Sequence, residues 1–427
     1  MKDNKVVIPE SLIEDLRHCF KCGMCQQVCP TFKVTRKEYY APRGRVQIVK
    51  HYLEGDLELT PTLEHILTSC MLCDACAASC PSGVRIDRLF RNMRIELDRF
   101  GARSLPKKLL FSLFQNGGRL RKASRLARIG QKIFVDALGT KSKIGNIPLA
   151  RLPKINSKPF RRQVPEKITP EGKRSGRVIY FTGCATDHIY DDVGHAVLKV
   201  LGSLGLEILI PGNLVCCSAP MFLSGAVAAS LPNIFKNLDI LDRLDADAIV
   251  VDCATCGAAL KKAIPELLED LGLDTEQAKR VAGRVKDVSQ IVSERLDELP
   301  IQENLSGARL TVTYHDPCHL VRGMGVAADP RKILSRIGGI KLIEMEGSNE
   351  CCGGGGYYQF DNVDISGDIT SRKRRNIMAT GADIVATGCP GCRLTLHGNL
   401  SEDENVEVAH TMQLLSRSLN TTLQHEG

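Results

Sequence analysis

The chain has 427 residues, of which 25% are charged and 43% apolar, and it carries a net charge of +8. That length holds two or three domains with a sizeable core, and the composition is that of a globular protein rather than a disordered chain. No apolar run approaches the span of a bilayer, and the start, Met1-Lys2-Asp3-Asn4-Lys5, offers no apolar signal-peptide core, so a cytoplasmic protein is expected.

Residues 1–100 carry two copies of one cysteine pattern: Cys19, Cys22, Cys25, Cys29 with Pro30, and Cys70, Cys73, Cys76, Cys80 with Pro81. Three cysteines at three-residue intervals wrap a turn of backbone around a metal–sulfur cluster, and the fourth, before proline, serves the neighbouring cluster. The expected ligand sets are therefore crossed: Cys19, Cys22, Cys25 and Cys80 in one, and Cys70, Cys73, Cys76 and Cys29 in the other. Apolar residues at helical spacing predict helices over 45–54, 57–69 and 84–100, hence a helical ferredoxin domain. Pro42-Arg43-Gly44-Arg45 reads either as a contact to the cluster surroundings or a partner, or as a solvated turn.

Residues 101–175 read as a basic linker, with 19 Lys and Arg against three Asp and Glu, so the rest of the chain is net acidic. Pro148, Pro153, Pro159, Pro165 and Pro170 predict an extended tether in its later part. The earlier part, with Leu109, Leu110, Phe111, Leu113 and Phe114 followed by Arg119, Arg121, Lys122, Arg125 and Arg128, suits an anionic membrane face, an acidic subunit or interdomain packing. The large apolar residues count against a merely solvated linker. Nucleic acid is not expected, because no recognised binding module accompanies the charge.

From residue 176 the pattern alternates between strand and helix. Strands are predicted at 177–182, 206–210 and 248–252, with helices at 186–203, 221–243 and 255–271 between and after them. A second copy has strands near 309–315, 340–345 and 382–387, which implies two α/β domains, 176–305 and 306–427, with parallel sheets covered on both faces. The repeat is visible in the cysteines: Cys184, Cys216, Cys217, Cys253 and Cys256 recur as Cys318, Cys351, Cys352, Cys389 and Cys392. Each follows a predicted strand end, and parallel strands share a carboxyl edge, so each quintet is expected to converge there. Gly353 to Gly356 lacks a nucleotide-loop context and is expected to let backbone close around a cluster. All eighteen cysteines are thus placed in metal-like arrays, and a disulfide framework is the weaker reading for a long chain. Five thiolates exceed a zinc site, yet zinc held by four of them remains an alternative for either quintet.

Two quintets with adjacent cysteine pairs resemble the CCG (cysteine-rich) domains of heterodisulfide reductase subunits. Together with Cys29-Pro30-Thr31, Pro42-Arg43-Gly44-Arg45, Leu53-Glu54-Gly55 and Cys80-Pro81-Ser82-Gly83-Val84, the whole resembles the glycolate oxidase iron–sulfur subunit family. The heterodisulfide reductase D and anaerobic glycerol-3-phosphate dehydrogenase C subunits share the layout. The resemblance implies two cubane [4Fe-4S] clusters in the ferredoxin domain and one or two noncubane [4Fe-4S] clusters in the CCG domains, with zinc possible at one.

It also implies an oxidoreductase complex subunit that takes electrons from an FAD-binding dehydrogenase partner acting on a 2-hydroxy acid such as glycolate or lactate. The electrons would pass to an electron-transfer flavoprotein, a membrane quinone or another carrier, with peripheral contact at the inner face of the cytoplasmic membrane through 101–175. A heterodisulfide-reductase-like catalytic subunit is the alternative, and a zinc-stabilised scaffold a third. His319, beside Cys318, reads either as a tuning or proton-delivering group or as a histidine satisfying loop carbonyls, and His188 lies comparably after Cys184. No catalytic residue and no nucleotide or hydrolase motif is found, so substrate oxidation is expected on another subunit.

Overall fold

A computed structural model of the chain describes residues 8–100, 105–138, 143–144, 147–148, 155–170, 172–302, 309–400 and 405–420. Short helices make up residues 8–100. Pro42–Glu54 opens on a proline whose fixed φ suits a first helical turn, and it stops at Gly55 with φ 85°. Pro61–Thr68 is capped by Thr60, whose hydroxyl accepts from the Leu63 N–H at 3.2 Å. With Ile86–Arg99 these helices bury Val46, Val49, Leu63, Leu67, Leu89, Phe90 and Met93 in one core. The three expected helices are present, with ends moved by a few residues.

Two sheets follow. The first contains β1 (Lys167–Ile168), β2 (Arg177–Phe181), β3 (Glu207–Leu209), β4 (Ala248–Val251) and β5 (Val285–Asp287) in the order β1-β3-β2-β4-β5. The second contains β6 (Leu310–His315), β7 (Ile340–Leu342), β8 (Ile384–Thr387) and β9 (Glu407–His410) in the order β9-β8-β6-β7. The spatial order β3-β2-β4-β5 therefore recurs as β7-β6-β8-β9, and all pairs within these two sets are parallel. Strand β1 departs from the expectation, since it runs antiparallel to β3. The fourth strands, β5 and β9, escape a sequence reading because each has only three or four residues and runs straight into a helix, Val288–Glu294 or Thr411–Arg417.

The region read as a linker is largely structured. Leu105–Gln115 packs Phe111 against Met221 and Ala226, and the Phe114 carbonyl accepts from Asn233 at 2.9 Å. Gly117–Leu138 follows, with Leu126 and Ile129 exposed among Arg125 and Arg128. At the far end Phe160 is fully buried in the first sheet's core, Arg161 pairs with Asp187 at 2.9 Å, and β1 joins the sheet. An extended tether up to residue 175 is thus overturned for 160–168: one large apolar side chain and one buried ion pair outweigh the proline-rich composition. The tether expected around Pro153 lies outside the described residues.

The three parts close on one another. Helix Ile86–Arg99 meets helix Ile264–Asp270 through Arg91 to Glu266 at 2.7 Å, Asn92 to Asp270 at 2.8 Å and Arg88 to both Glu269 and Asp270. Lys262 adds an ion pair to Asp87 at 2.8 Å. On the other repeat, Lys33 pairs with Glu350 at 2.5 Å and Arg322 donates to the Cys73 carbonyl at 3.3 Å. One apolar core runs across both α/β units, including Cys217, Cys253, Cys256, Cys352, Cys389 and Cys392. Among the described residues no helix is long and apolar enough to cross a membrane.

Candidate metal centres

Each ferredoxin motif bends the same way. Lys21 and Leu72 hold left-handed φ of 56° and 49°, and the residues after the second cysteines, Gly23 and Asp74, hold 83° and 59°. A bulky leucine in that region is uncommon, and the alternation coils the backbone so that three thiols face inward. Cys19, Cys22, Cys25 and Cys80 line one cavity, with Arg43, while Cys29, Cys70, Cys73 and Cys76 line a second, with Arg45. The crossed grouping expected from the spacing is what the geometry brings together. Cys29 is set by Thr31, whose Oγ1 lies 3.1 Å from its sulfur.

The Pro42-Arg43-Gly44-Arg45 turn belongs to these cavities rather than to solvent. Arg45 is buried and donates to the Ile66 carbonyl at 2.9 Å, Thr31 Oγ1 at 3.3 Å and Ser69 Oγ at 3.1 Å. Arg43 donates to the Lys21 carbonyl at 3.1 Å, and its backbone N–H faces the Cys25 thiol. Gly44 must be glycine, because a Cβ there would run into the Glu38 carbonyl. Burial, with the neighbouring thiols, pushes Cys25 up to about 11 and Cys76 well above the usual range. Crowded neutral thiols of this kind release their protons when a cation takes their place, which is the chemistry of a metal–thiolate site.

The later ten cysteines also converge at strand ends. Cys184 opens a helix after β2, Cys216 and Cys217 follow β3, and Cys253 caps the helix Ala254–Ala258 after β4. Cys318 precedes the turn His319–Met324 after β6, Cys351 and Cys352 follow β7, and Cys389 caps Pro390–His397 after β8. Close approach is built in. A Cβ on Gly183 would sit 3.0 Å from the Cys256 sulfur. Gly353, with φ 93°, lets its loop lie against Thr370, whose Oγ1 donates to the Cys352 carbonyl at 3.0 Å.

Within each quintet the thiols contact one another in sequence: Cys184, Cys216, Cys217, Cys256, Cys253 in the first, and Cys318, Cys351, Cys352, Cys392, Cys389 in the second. Cys253 also contacts Cys389, so ten sulfurs from both repeats form one continuous array. Cys217, Cys352 and Cys389 each accept from two neighbouring thiols and are held well below the usual thiol range. The donor set, sulfur-rich and fed by backbone N–H groups at Ser218, Ala219 and Gly391, fits a multinuclear metal–sulfur group. The second quintet reaches the ferredoxin domain too, since Cys73 packs with Cys351 and Cys318.

His319 is placed by three domains. Its Nδ1 lies 3.1 Å from Thr255 Oγ1 and its Nε2 3.4 Å from the Leu72 carbonyl, so the ring bridges a side-chain hydroxyl and one backbone carbonyl. Thr255 Oγ1 in turn lies 3.9 Å from the Cys389 sulfur. His188 faces Asp187 at 3.6 Å. Sequence reasoning gave no role to His315, fully buried with a ring nitrogen within 4.8 Å of the sulfurs of both Cys352 and Cys392. The available signal was the strand alternation: His315 ends β6 three residues before Cys318, on the edge where the quintet gathers.

Known families match the same segments. The 4Fe-4S dicluster domain matches residues 15–84, and the cysteine-rich (CCG) domain matches 178–261 and 312–397. A probable glycolate oxidase iron–sulfur subunit of Bacillus subtilis is 30% identical over 417 residues, covering 94% of this chain and 93% of the relative. The chain belongs to this iron–sulfur subunit family. The dihydromethanophenazine:CoB–CoM heterodisulfide reductase of Methanosarcina acetivorans has a D component that is 26% identical over 448 residues, covering 99% of this chain and 98% of the relative. The crystal structure of a hypothetical protein from Helicobacter pylori shares the fold at a TM-score of 0.50 and 10% identity, covering 97% of this chain and 74% of that one. This family member is an iron–sulfur subunit of an oxidoreductase complex, of the glycolate oxidase or the heterodisulfide reductase type.

Proposed function

We propose that the chain is the electron-transfer subunit of a flavin-dependent 2-hydroxy-acid dehydrogenase of glycolate or lactate type, taking electrons from an FAD-binding partner and passing them to a quinone or other carrier. The observation that carries this reading is the continuity of the thiols. Cys22 stands exposed at one end beside Phe20, which is 81% exposed, and from the second ferredoxin cavity Cys73 leads to Cys318 and Cys351 and on through Cys389 to Cys253. Cys19, Cys22, Cys25 and Cys80 would hold one cubane cluster, and Cys70, Cys73, Cys76 and Cys29 the other. The quintets Cys184, Cys216, Cys217, Cys253, Cys256 and Cys318, Cys351, Cys352, Cys389, Cys392 would each hold a noncubane cluster. Such clusters supply one-electron redox chemistry. The chain's own part is to bury the thiolates, feed them N–H bonds and keep the arrays close.

Phe20 and Met24, both exposed beside Cys22, suit the docking of a redox partner, and the basic surface of residues 117–130, with exposed Leu126 and Ile129, suits an anionic membrane face. A second reading, a catalytic subunit that reduces a disulfide or quinone, draws on the merging of the two quintets through Cys253 and Cys389 and on the heterodisulfide reductase relative. Iron, sulfide and zinc measured on anaerobically isolated protein, with EPR, test the ligand assignment: about sixteen irons are expected against about eight for two cubanes alone. Co-purification with an FAD-containing protein supports the first reading. A thiol- or disulfide-dependent EPR change without any flavoprotein supports the second.

A further inference from the structure

The two repeats put different residues at one equivalent place. Phe181, at the end of β2, pairs with Val251, two residues before Cys253. His315, at the end of β6, pairs with Thr387, two residues before Cys389. An imidazole in the second repeat thus stands where the first has a phenyl ring. His315 is fully buried, and beyond the Cys352 and Cys392 sulfurs neither ring nitrogen has a hydrogen-bond partner among the described groups. Buried polar groups are rarely left unpaired, so a ring nitrogen aimed at sulfur calls for a partner there. Both quintets are complete in cysteine, and the first manages without a histidine, so an imidazole is not required to fill the ligand count.

We propose that His315 donates a ring N–H to the Cys352 thiolate of the second quintet and thereby makes the two cysteine-rich centres unequal. This rests on the reading that both quintets hold iron–sulfur clusters. A hydrogen bond to a ligand sulfur draws charge from it and raises the reduction potential of the group it holds. The second centre, beside Cys73 of the ferredoxin domain, becomes the electron sink of the pair, and the first, facing Phe181, does not. His315 acts through Cys352 and is a positioning residue.

The test is redox-titrated EPR on the anaerobic full chain, alongside iron and sulfide quantification. His315→Phe, which copies the first repeat, is expected to keep the parent's iron content and lower the midpoint potential of one cysteine-rich signal while the other stays in place. His315→Gln, which restores an N–H donor, is expected to return it toward the parent value. Pulsed EPR on the parent labelled with 15N-histidine should show a weak nitrogen coupling that His315→Gln abolishes. Unchanged potentials, two signals moving together, or loss of iron in both variants would overturn the proposal. So would the absence of coupling, or a coupling strong enough for direct ligation. A parent holding only about eight irons would instead overturn the cluster assignment itself, and the proposal with it.

Discussion

The two cysteine-rich repeats share strand order, five thiols each and a capped helix after the fourth strand, yet their surroundings differ at nearly every other point. The first is gripped by the ferredoxin domain through a buried ionic network on Asp270, whose side chain is only 1% exposed. The second is held by sulfur-side packing of Cys73 and a partly exposed pair, Lys33 and Glu350. Equivalent helix caps carry Asp287 in one and His410 in the other. A duplicated scaffold therefore fixes where the thiols stand, while single substitutions and docking contacts decide how each set behaves.

Breaking one array at a time is the strongest test of that equivalence. Cys217→Ser and Cys352→Ser are each expected to remove about four irons and leave the ferredoxin EPR signals in place. Loss from both quintets in either variant would mean that the Cys253–Cys389 contact makes them one unit. The unequal grip comes next. Asp270→Ala leaves Asn92 without its carboxylate acceptor and the buried Arg88 with only the exposed Glu269, and should cost about 3–5 kcal/mol in anaerobic urea unfolding.

The helix caps should respond to pH in opposite directions. Burial pushes Asp287 up to about 7, against the opposing hydrogen bonds from Ser289, so the stability it contributes is full below its ordinary pKa of about 3.9 and is lost as pH rises from there to 7. Burial pushes His410 down to about 4, and its contribution is full above its ordinary pKa of about 6.5 and lost as pH falls from there toward 4. The full windows are worth at most ~4 kcal/mol for Asp287 and ~3 kcal/mol for His410. In urea midpoints measured between pH 4 and 8, Asp287→Asn should remove a loss of stability on raising the pH from about 4 to 7, and His410→Asn a loss on lowering it from about 6.5 to 4, both keeping a side-chain cap. The smallest effect is at the second repeat's docking pair, where Glu350→Ala should cost less than about 1 kcal/mol in the same assay.

Much of this was legible in the sequence where the determinants are local. The crossed ferredoxin sets follow from three-residue spacing before Cys29-Pro30 and Cys80-Pro81, and the parallel strands from apolar runs such as 248–251, because ladder and turn geometry depend on near neighbours. The quintets were foreseen because parallel strands share an edge. Only the tertiary structure decided that they merge through Cys253 and Cys389, that Arg45 is buried on Ser69 and Thr31, and that residues 160–168 join the first sheet. It also decided that His315 faces Cys352 while Phe181 holds the matching place. Each of these is a contact between residues far apart in the chain, set by how whole faces pack, and neither spacing nor composition encodes that.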